Sequence, residues 1–203
     1  MGAYLPHWTA EGATYSVTFR LADALPAGVL EGLRRERAEV VAKARAMGRA
    51  LTVMELARLG VLHSERVEGY LDTGSGACFM REPRIATMVE GALRHFDRER
   101  YDLFAWCVMP NHVHAVVRPL SGFGLSGIMH SRKSYSAGEA NRLLGRTGAF
   151  WQRESYDHLV RDEQDFTHAL RYVLENPERA GLKGWRWVGS GGALGRADRS
   201  VGD

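Results

Sequence analysis

Two apolar runs, residues 103–109 and 114–117, are separated by little more than Pro110-Asn111. Pro suits the first central position of a tight turn and Asn the second, so the segment reads as strand, turn, strand. Nothing else in the chain restricts the fold as much. His112 and His114 open the second strand. Because side chains alternate across a strand, they share one face while Val113 points to the other. Two imidazoles on one face of a buried strand make half of a metal site. A His-x-His pair also arises by chance in cores, and the triplet alone leaves both readings open.

The remaining elements follow from period and punctuation. Ala13 to Leu21 is strand-like, with Tyr15, Val17, Thr18 and Phe19. Pro26 can open a helix from about Gly28 to Met47, with Leu30, Leu33, Val40 and Val41 as its apolar stripe. A short helix from Thr52 to Leu59 ends at Gly60, and residues 72–77 are a loop by composition. From Pro83, the positions Ile85, Met88, Val89, Ala92, Leu93 and Phe96 fall on one helical face. A helix from Leu125 to Leu144 is weakened by Gly127 and Gly138, and Ser155 to Arg161 alternates as a short strand. Asp162 caps a last helix to Asn176, which Pro177 halts.

With the charged insertion 26–82 set aside, the order is strand, helix, strand, strand, helix, strand. That is an α+β, ferredoxin-like split βαβ arrangement, an antiparallel sheet with helices on one face. The other face is left for a site, with the appended C-terminal helix near it. The expected organisation is one domain over residues 1–182, followed by a partly ordered tail over 183–203.

The composition, 45% hydrophobic and 25% charged over 203 residues, is that of an ordinary soluble domain with its own core. No apolar stretch reaches the length of a membrane span, and the N-terminus lacks a signal-peptide pattern. Cys78 and Cys107 have no metal-ligand spacing, Cys107 reads as a buried small hydrophobe, and a reducing cytoplasm is the expected compartment. A formal charge of +3 leans towards an anionic partner. Arg132, Lys133, Arg142 and Arg146 cluster near Tyr135 and Trp151, a mixture that suits a phosphate-lined groove with stacking platforms; a solvated helix face is the alternative.

A third metal ligand is needed, and the last helix offers one. Tyr172 and Asn176 are four residues apart and share a helical face. Asn176 can present a carbonyl oxygen and Tyr172 a phenol. The competing reading is a packed aromatic and a helix-end cap.

Met109-Pro-Asn-His-Val-His114 is followed by Phe150-Trp-Gln152, Tyr156-Asp-His158, Arg161-Asp-Glu163 and Tyr172-x-x-x-Asn176-Pro177. This series resembles the single-tyrosine HUH transposases, and within them the REP-associated tyrosine transposases of bacteria. Leu5-Pro-His-Trp8 and Thr18-Phe-Arg-Leu-Ala-Asp23 also look typical of that branch. The resemblance covers the chain to about Leu182. It implies that His112 and His114 are the metal-binding HUH pair, that Asn176 completes the metal site, and that Tyr172 is the nucleophile. The implied metal is Mg²⁺ or Mn²⁺, and imidazole, a softer ligand than Mg²⁺ prefers, favours Mn²⁺.

The implied reaction is metal-assisted attack of Tyr172 on single-stranded or hairpin DNA, giving a 5′-phosphotyrosine and a free 3′-OH that can later rejoin strands. Implied partners are single-stranded DNA or REP-like hairpins, with the protein a monomer or homodimer, cytoplasmic and nucleoid-associated. Arg132, Lys133 and Arg153 are candidate phosphate contacts and Tyr156 a candidate stacking residue, with solvent exposure and core packing as their alternatives. Trp151 is expected to pack and His158 to be structural; Trp185 and Trp187 either cover the sheet or touch DNA. Two other functions stand beside this one: a domesticated hairpin-binding protein that does not cut, and a small-molecule metalloenzyme using the two histidines.

Overall fold

The computed structural model describes residues 12–52, 54–55 and 67–192. The expected hairpin forms from β2 (Tyr101–Val108) and β3 (His112–Pro119), turning through residues 109–111. With β1 (Tyr15–Arg20), β4 (Tyr156–Leu159) and β5 (Val188–Ser190), it builds a five-stranded sheet in the order β4-β1-β3-β2-β5. Every neighbouring pair is antiparallel. The first four strands have the split βαβ order predicted from the sequence. The fold is α+β and ferredoxin-like, extended by one strand.

Alternation divides the sheet into two faces. Tyr15, Val17 and Phe19 of β1 and Val113, Ala115 and Val117 of β3 enter the main core. Against that face pack α2 (Pro83–Arg94) and α3 (Leu125–Leu144). Proline at the start of α2 has no N–H to leave unsatisfied, and Ile85, Ala86, Val89, Ala92 and Leu93 are its buried stripe. The opposite face carries a smaller apolar cluster of Phe104, Ala105, Cys107, Met109 and Val116, covered by α4 (Glu163–Arg179) through Ala169 and Val173. A β-bulge makes this possible. Leu103 pairs with Val117 and Ala105 with Val116, so two successive residues, Phe104 and Ala105, face α4 before alternation resumes at Trp106.

Asp162 caps α4 as expected, its carboxylate accepting from the Asp165 N–H at 2.8 Å. The expected stop at Pro177 is corrected: α4 continues to Arg179 with Pro177 buried inside it. Proline removes a single N–H bond, and the turn beyond it closes through Ala180 N to Asn176 O and Leu182 N to Pro177 O. Residues 183–192, expected as the start of a partly ordered tail, supply β5, which pairs with the bulged β2. Trp185 donates to the Val108 carbonyl and Trp187 to Thr87, so both indoles cover the sheet end.

The insertion begins with α1 (Ala27–Ala46), within one residue of the sequence expectation. A later helical stretch, 67–72, leads into the loop 72–77. The helix expected from Thr52 to Leu59 falls largely, and the Leu5-Pro-His-Trp8 motif wholly, outside the described residues. Among the described residues no helix is long and apolar enough to cross a membrane.

Candidate metal and nucleophile site

His112 and His114 project from β3 onto the face that α4 covers, each about 1% exposed, with ring centroids 4.6 Å apart. Each ring is gripped at Nδ1. Asn111 Oδ1 lies 2.7 Å from His112 Nδ1. The Asn111 amide nitrogen donates to the carbonyls of Leu71 and Ser75, so its oxygen faces the imidazole and His112 carries its proton on Nδ1. Thr18 Oγ1, opposite His114 in the β1–β3 register, lies 2.8 Å from His114 Nδ1. When that nitrogen donates to the hydroxyl, His114 takes the same tautomer. Both Nε2 lone pairs are then available, as in imidazole ligands held by a second hydrogen bond.

Both rings are also held neutral. Burial, then the neighbouring His114, then the Arg20 charge keep His112 well below the usual histidine range, and burial pushes His114 down to about 3. A neutral imidazole is the form that binds a metal.

Tyr172 rises from α4 with its ring 5.2 Å from that of His114 at 85°, and Asn176 lies one helical turn further on, 2% exposed. Among the described residues, four buried side-chain polar atoms lack a hydrogen-bond partner: His112 Nε2, His114 Nε2, Asn176 Oδ1 and the distant Asn141 Oδ1. Unpaired buried polar atoms are rare and unfavourable. Three of the four are the donors that the sequence reading assigned to a metal, so the residues fit a divalent cation. Among the described residues no group of three or more His, Cys, Asp or Glu is placed to hold one, which leaves two imidazoles and an amide as the donor set.

The insertion adds a feature that the sequence did not reveal. The Tyr172 phenol donates to the Glu68 carboxylate. Burial first, then the charges of Glu68 and Asp72, raise its pKa far above the ordinary phenol value, with Arg179 opposing them. The Arg179 guanidinium lies 5.3 Å from the Tyr172 ring centroid. Glu68 and Asp72 carried no legible signal, because only the tertiary fold brings residues 67–72 to α4.

The other predicted residues divide between the two faces. Tyr156 pairs with Thr18 and so stands on the histidine side, half-buried and within reach of the Glu68 charge. Arg132 and Lys133 stand on α3, on the helix side of the sheet. Arg132 is 7% exposed, donates to the Ala92 carbonyl and Ser131, and stacks over Phe96. The Lys133 ammonium donates to the carbonyls of Gln152 and Arg153 and to Ser155, matching its three protons. Both cations are engaged inside the fold. Arg153 is exposed beside a cavity between α3 and the 148–157 segment, on the helix side of the sheet. Trp151 packs edge-on against Phe19 and donates to Ser136, as expected of a core residue, while His158 bonds Asp165.

Residues 81–176 match the family model described as Transposase IS200 like. A curated relative from Haemophilus influenzae, named "Putative REP-associated tyrosine transposase", is 24% identical over 99 residues, 42% of this chain and 56% of that protein. The chain thus spans little more than half the length of that relative. A solved structure of a REP-associated tyrosine transposase bound to a REP hairpin is 17% identical and covers 90% of this chain and 76% of that one, with a TM-score of 0.49.

Proposed function

We propose that this chain, whose residues 81–176 match the IS200-like transposases, cleaves and rejoins DNA with Tyr172 as its nucleophile. The substrate is single-stranded or hairpin DNA of the REP type, the ligand of the relative solved with a hairpin. The observation that carries this reading is the set of three orphaned buried atoms, on His112, His114 and Asn176, around an aromatic ring that bears a hydroxyl.

His112 Nε2, His114 Nε2 and Asn176 Oδ1 would hold Mg²⁺ or Mn²⁺. Such an ion supplies Lewis-acid stabilisation of charge on a phosphate oxygen. Asn111 and Thr18 orient the imidazoles, and their burial keeps them unprotonated. Tyr172 Oη attacks phosphorus, the P–O3′ bond breaks, and the phenol proton passes to the Glu68 carboxylate that already accepts its hydrogen bond. The products are a 5′-phosphotyrosine and a free 3′-OH. Because the phosphotyrosine linkage is still a phosphodiester, a second 3′-OH can reverse the step without ATP.

The test is incubation with Mn²⁺ and labelled single-stranded hairpins, followed by denaturing gels. A slow-migrating adduct with the wild-type chain, absent from Tyr172→Phe, is the expected result. An equal adduct in Tyr172→Phe overturns the nucleophile assignment. Hairpin binding without any adduct identifies instead a binding protein that no longer cuts.

A further inference from the structure

Beyond Tyr172, α4 carries a cation to which the cleavage chemistry gives no role. Tyr172, Asn176 and Arg179 are spaced four and three residues apart and so fall on one face of the helix. Arg179 is exposed, and its guanidinium lies over the Tyr172 ring, 5.3 Å from the centroid. Its charge acts on both Tyr172 and Asp72, opposing the Glu68 and Asp72 carboxylates at the phenol. Among the described residues no hydrogen bond or ion pair engages this guanidinium. A cation in the last turn also suits the negative end of the helix dipole, but the dipole does not require it to lie over the nucleophile.

A phosphodiester that approaches Tyr172 brings negative charge towards two carboxylates, and a cation at the ring offsets that repulsion. Attraction to a ring face uses the charge of a guanidinium and leaves its planar fork of N–H donors, which matches a phosphate. Resting on the reading of this site as one that takes a DNA phosphodiester, we propose that Arg179 is a catalytic residue that binds a non-bridging oxygen of the phosphate attacked by Tyr172. It stabilises the charge that develops as the bond from Tyr172 Oη to phosphorus forms and the P–O3′ bond breaks. Arg179 keeps all its protons in this step. The phenol proton goes to Glu68, and the departing O3′ takes one from solvent.

The full chain is compared with Arg179→Ala, Arg179→Gln and Arg171→Gln, each checked for folding by circular dichroism. Glutamine is a good helix former, so Arg179→Gln serves as the test if the alanine variant fails to fold. Arg171→Gln removes the same charge from an exposed position of α4 that faces Glu175 instead. Adduct formation is followed under single turnover in Mn²⁺, and Mn²⁺ affinity is measured separately by calorimetry. Hairpin affinity is measured over a salt series at fixed Mn²⁺ in a Tyr172→Phe background, which keeps the ring and removes the nucleophile. Both Arg179 variants should slow adduct formation by roughly 10- to 100-fold, the range for one lost charge-assisted hydrogen bond. Their plot of log affinity against log salt should flatten by about one unit, as for one lost phosphate contact. Mn²⁺ affinity should not fall, added guanidinium ion should restore rate to Arg179→Ala, and Arg171→Gln should match wild type throughout.

A wild-type salt slope in a folded Arg179 variant overturns the phosphate contact, even if the rate falls, because support of the Tyr172 ring alone would slow the reaction without changing the slope. A flatter slope at wild-type rate places Arg179 on a phosphate other than the one attacked and overturns the catalytic role. Equal losses in Arg171→Gln, or a slower rate explained by lost Mn²⁺ affinity, overturn it as well. A wild-type chain that binds hairpins but never forms an adduct removes the cleavage reading alone; the salt slope of the Arg179 variants then still decides the phosphate contact. A wild-type chain that neither binds nor reacts overturns both.

Discussion

Asn111 shows how one amide can serve two structures, because it carries both an acceptor and donors. Its oxygen orients His112 and its nitrogen clasps the insertion loop at Leu71 and Ser75. The two roles can be separated. Asn111→Ala loses both, and weaker Mn²⁺ binding by roughly 10- to 100-fold, the usual effect of losing a group that supports a ligand, is expected from calorimetry. Asn111→Asp keeps the acceptor but not the donors, so it retains much of the Mn²⁺ affinity while hydrogen exchange in residues 71–77 accelerates. Equal Mn²⁺ affinity in all three proteins would refute the orienting role.

Tyr101 yields a pH prediction on the same scale. Its hydroxyl donates to the Leu93 carbonyl, and burial pushes the phenol up to about 12 from an ordinary value of 10.0. The stability tied to the protonated phenol is therefore fully present below pH 10.0 and is lost as pH rises towards about 12, because the unfolded phenol ionises first. Tyr101→Phe should be less stable than wild type by about 1 kcal/mol or somewhat more at pH 8. The gap should close between pH 10 and 12 in urea melts. A constant gap across that range would disprove the linkage.

Among the elements, β5 rests on a glycine that no larger residue can replace. A Cβ on Gly191 would lie 1.7 Å from the Leu103 carbonyl oxygen, beside the β2 bulge, where Gly191 N also bonds the Phe104 carbonyl. Gly191→Ala must push β5 away from β2, for an expected loss of about 1–3 kcal/mol, the usual effect of overpacking. Faster amide exchange at Val188–Ser190 would localise it; unchanged exchange and stability would contradict the close approach. The cap of α4 is a milder case. Asp162→Ala should cost about 1 kcal/mol, read as a shifted urea midpoint. It acts on the helix that carries Tyr172 and Asn176, so adduct formation should weaken only under conditions that begin to unfold the chain.

For the molecule as a whole, a cation held by the orphaned atoms of His112, His114 and Asn176 would link metal binding to folding. A cation that binds only the folded chain should raise stability by about 2.7 kcal/mol at one hundred times its Kd. Mn²⁺ should raise the Tm of the wild-type chain and leave that of a His112→Ala, His114→Ala double variant unchanged; an equal shift in both would place the ion elsewhere. Much of this arrangement is legible in the sequence, because alternation and helical spacing are local properties. The parity of residues 112–114 puts both imidazoles on one face, Tyr172 and Asn176 share a helical face by spacing, and the order of elements dictates the split βαβ sheet.

What the tertiary structure decided is long-range or depends on exceptions to local rules. The bulge at Leu103–Ala105 breaks the two-residue period that strand reading assumes, and α4 runs past Pro177 because losing one N–H bond does not end a packed helix. Arg20 and Gln152 are 132 residues apart, and Glu68 reaches Tyr172 from an insertion whose charge pattern reads only as surface. Lys133 looks like a free cation in a basic cluster until the 152–155 segment folds back to accept its hydrogen bonds. The sequence by itself determined which residues share a face, because that follows from the geometry of strand and helix. Only the tertiary structure decided which face meets which, because those contacts depend on how the chain closes over long loops.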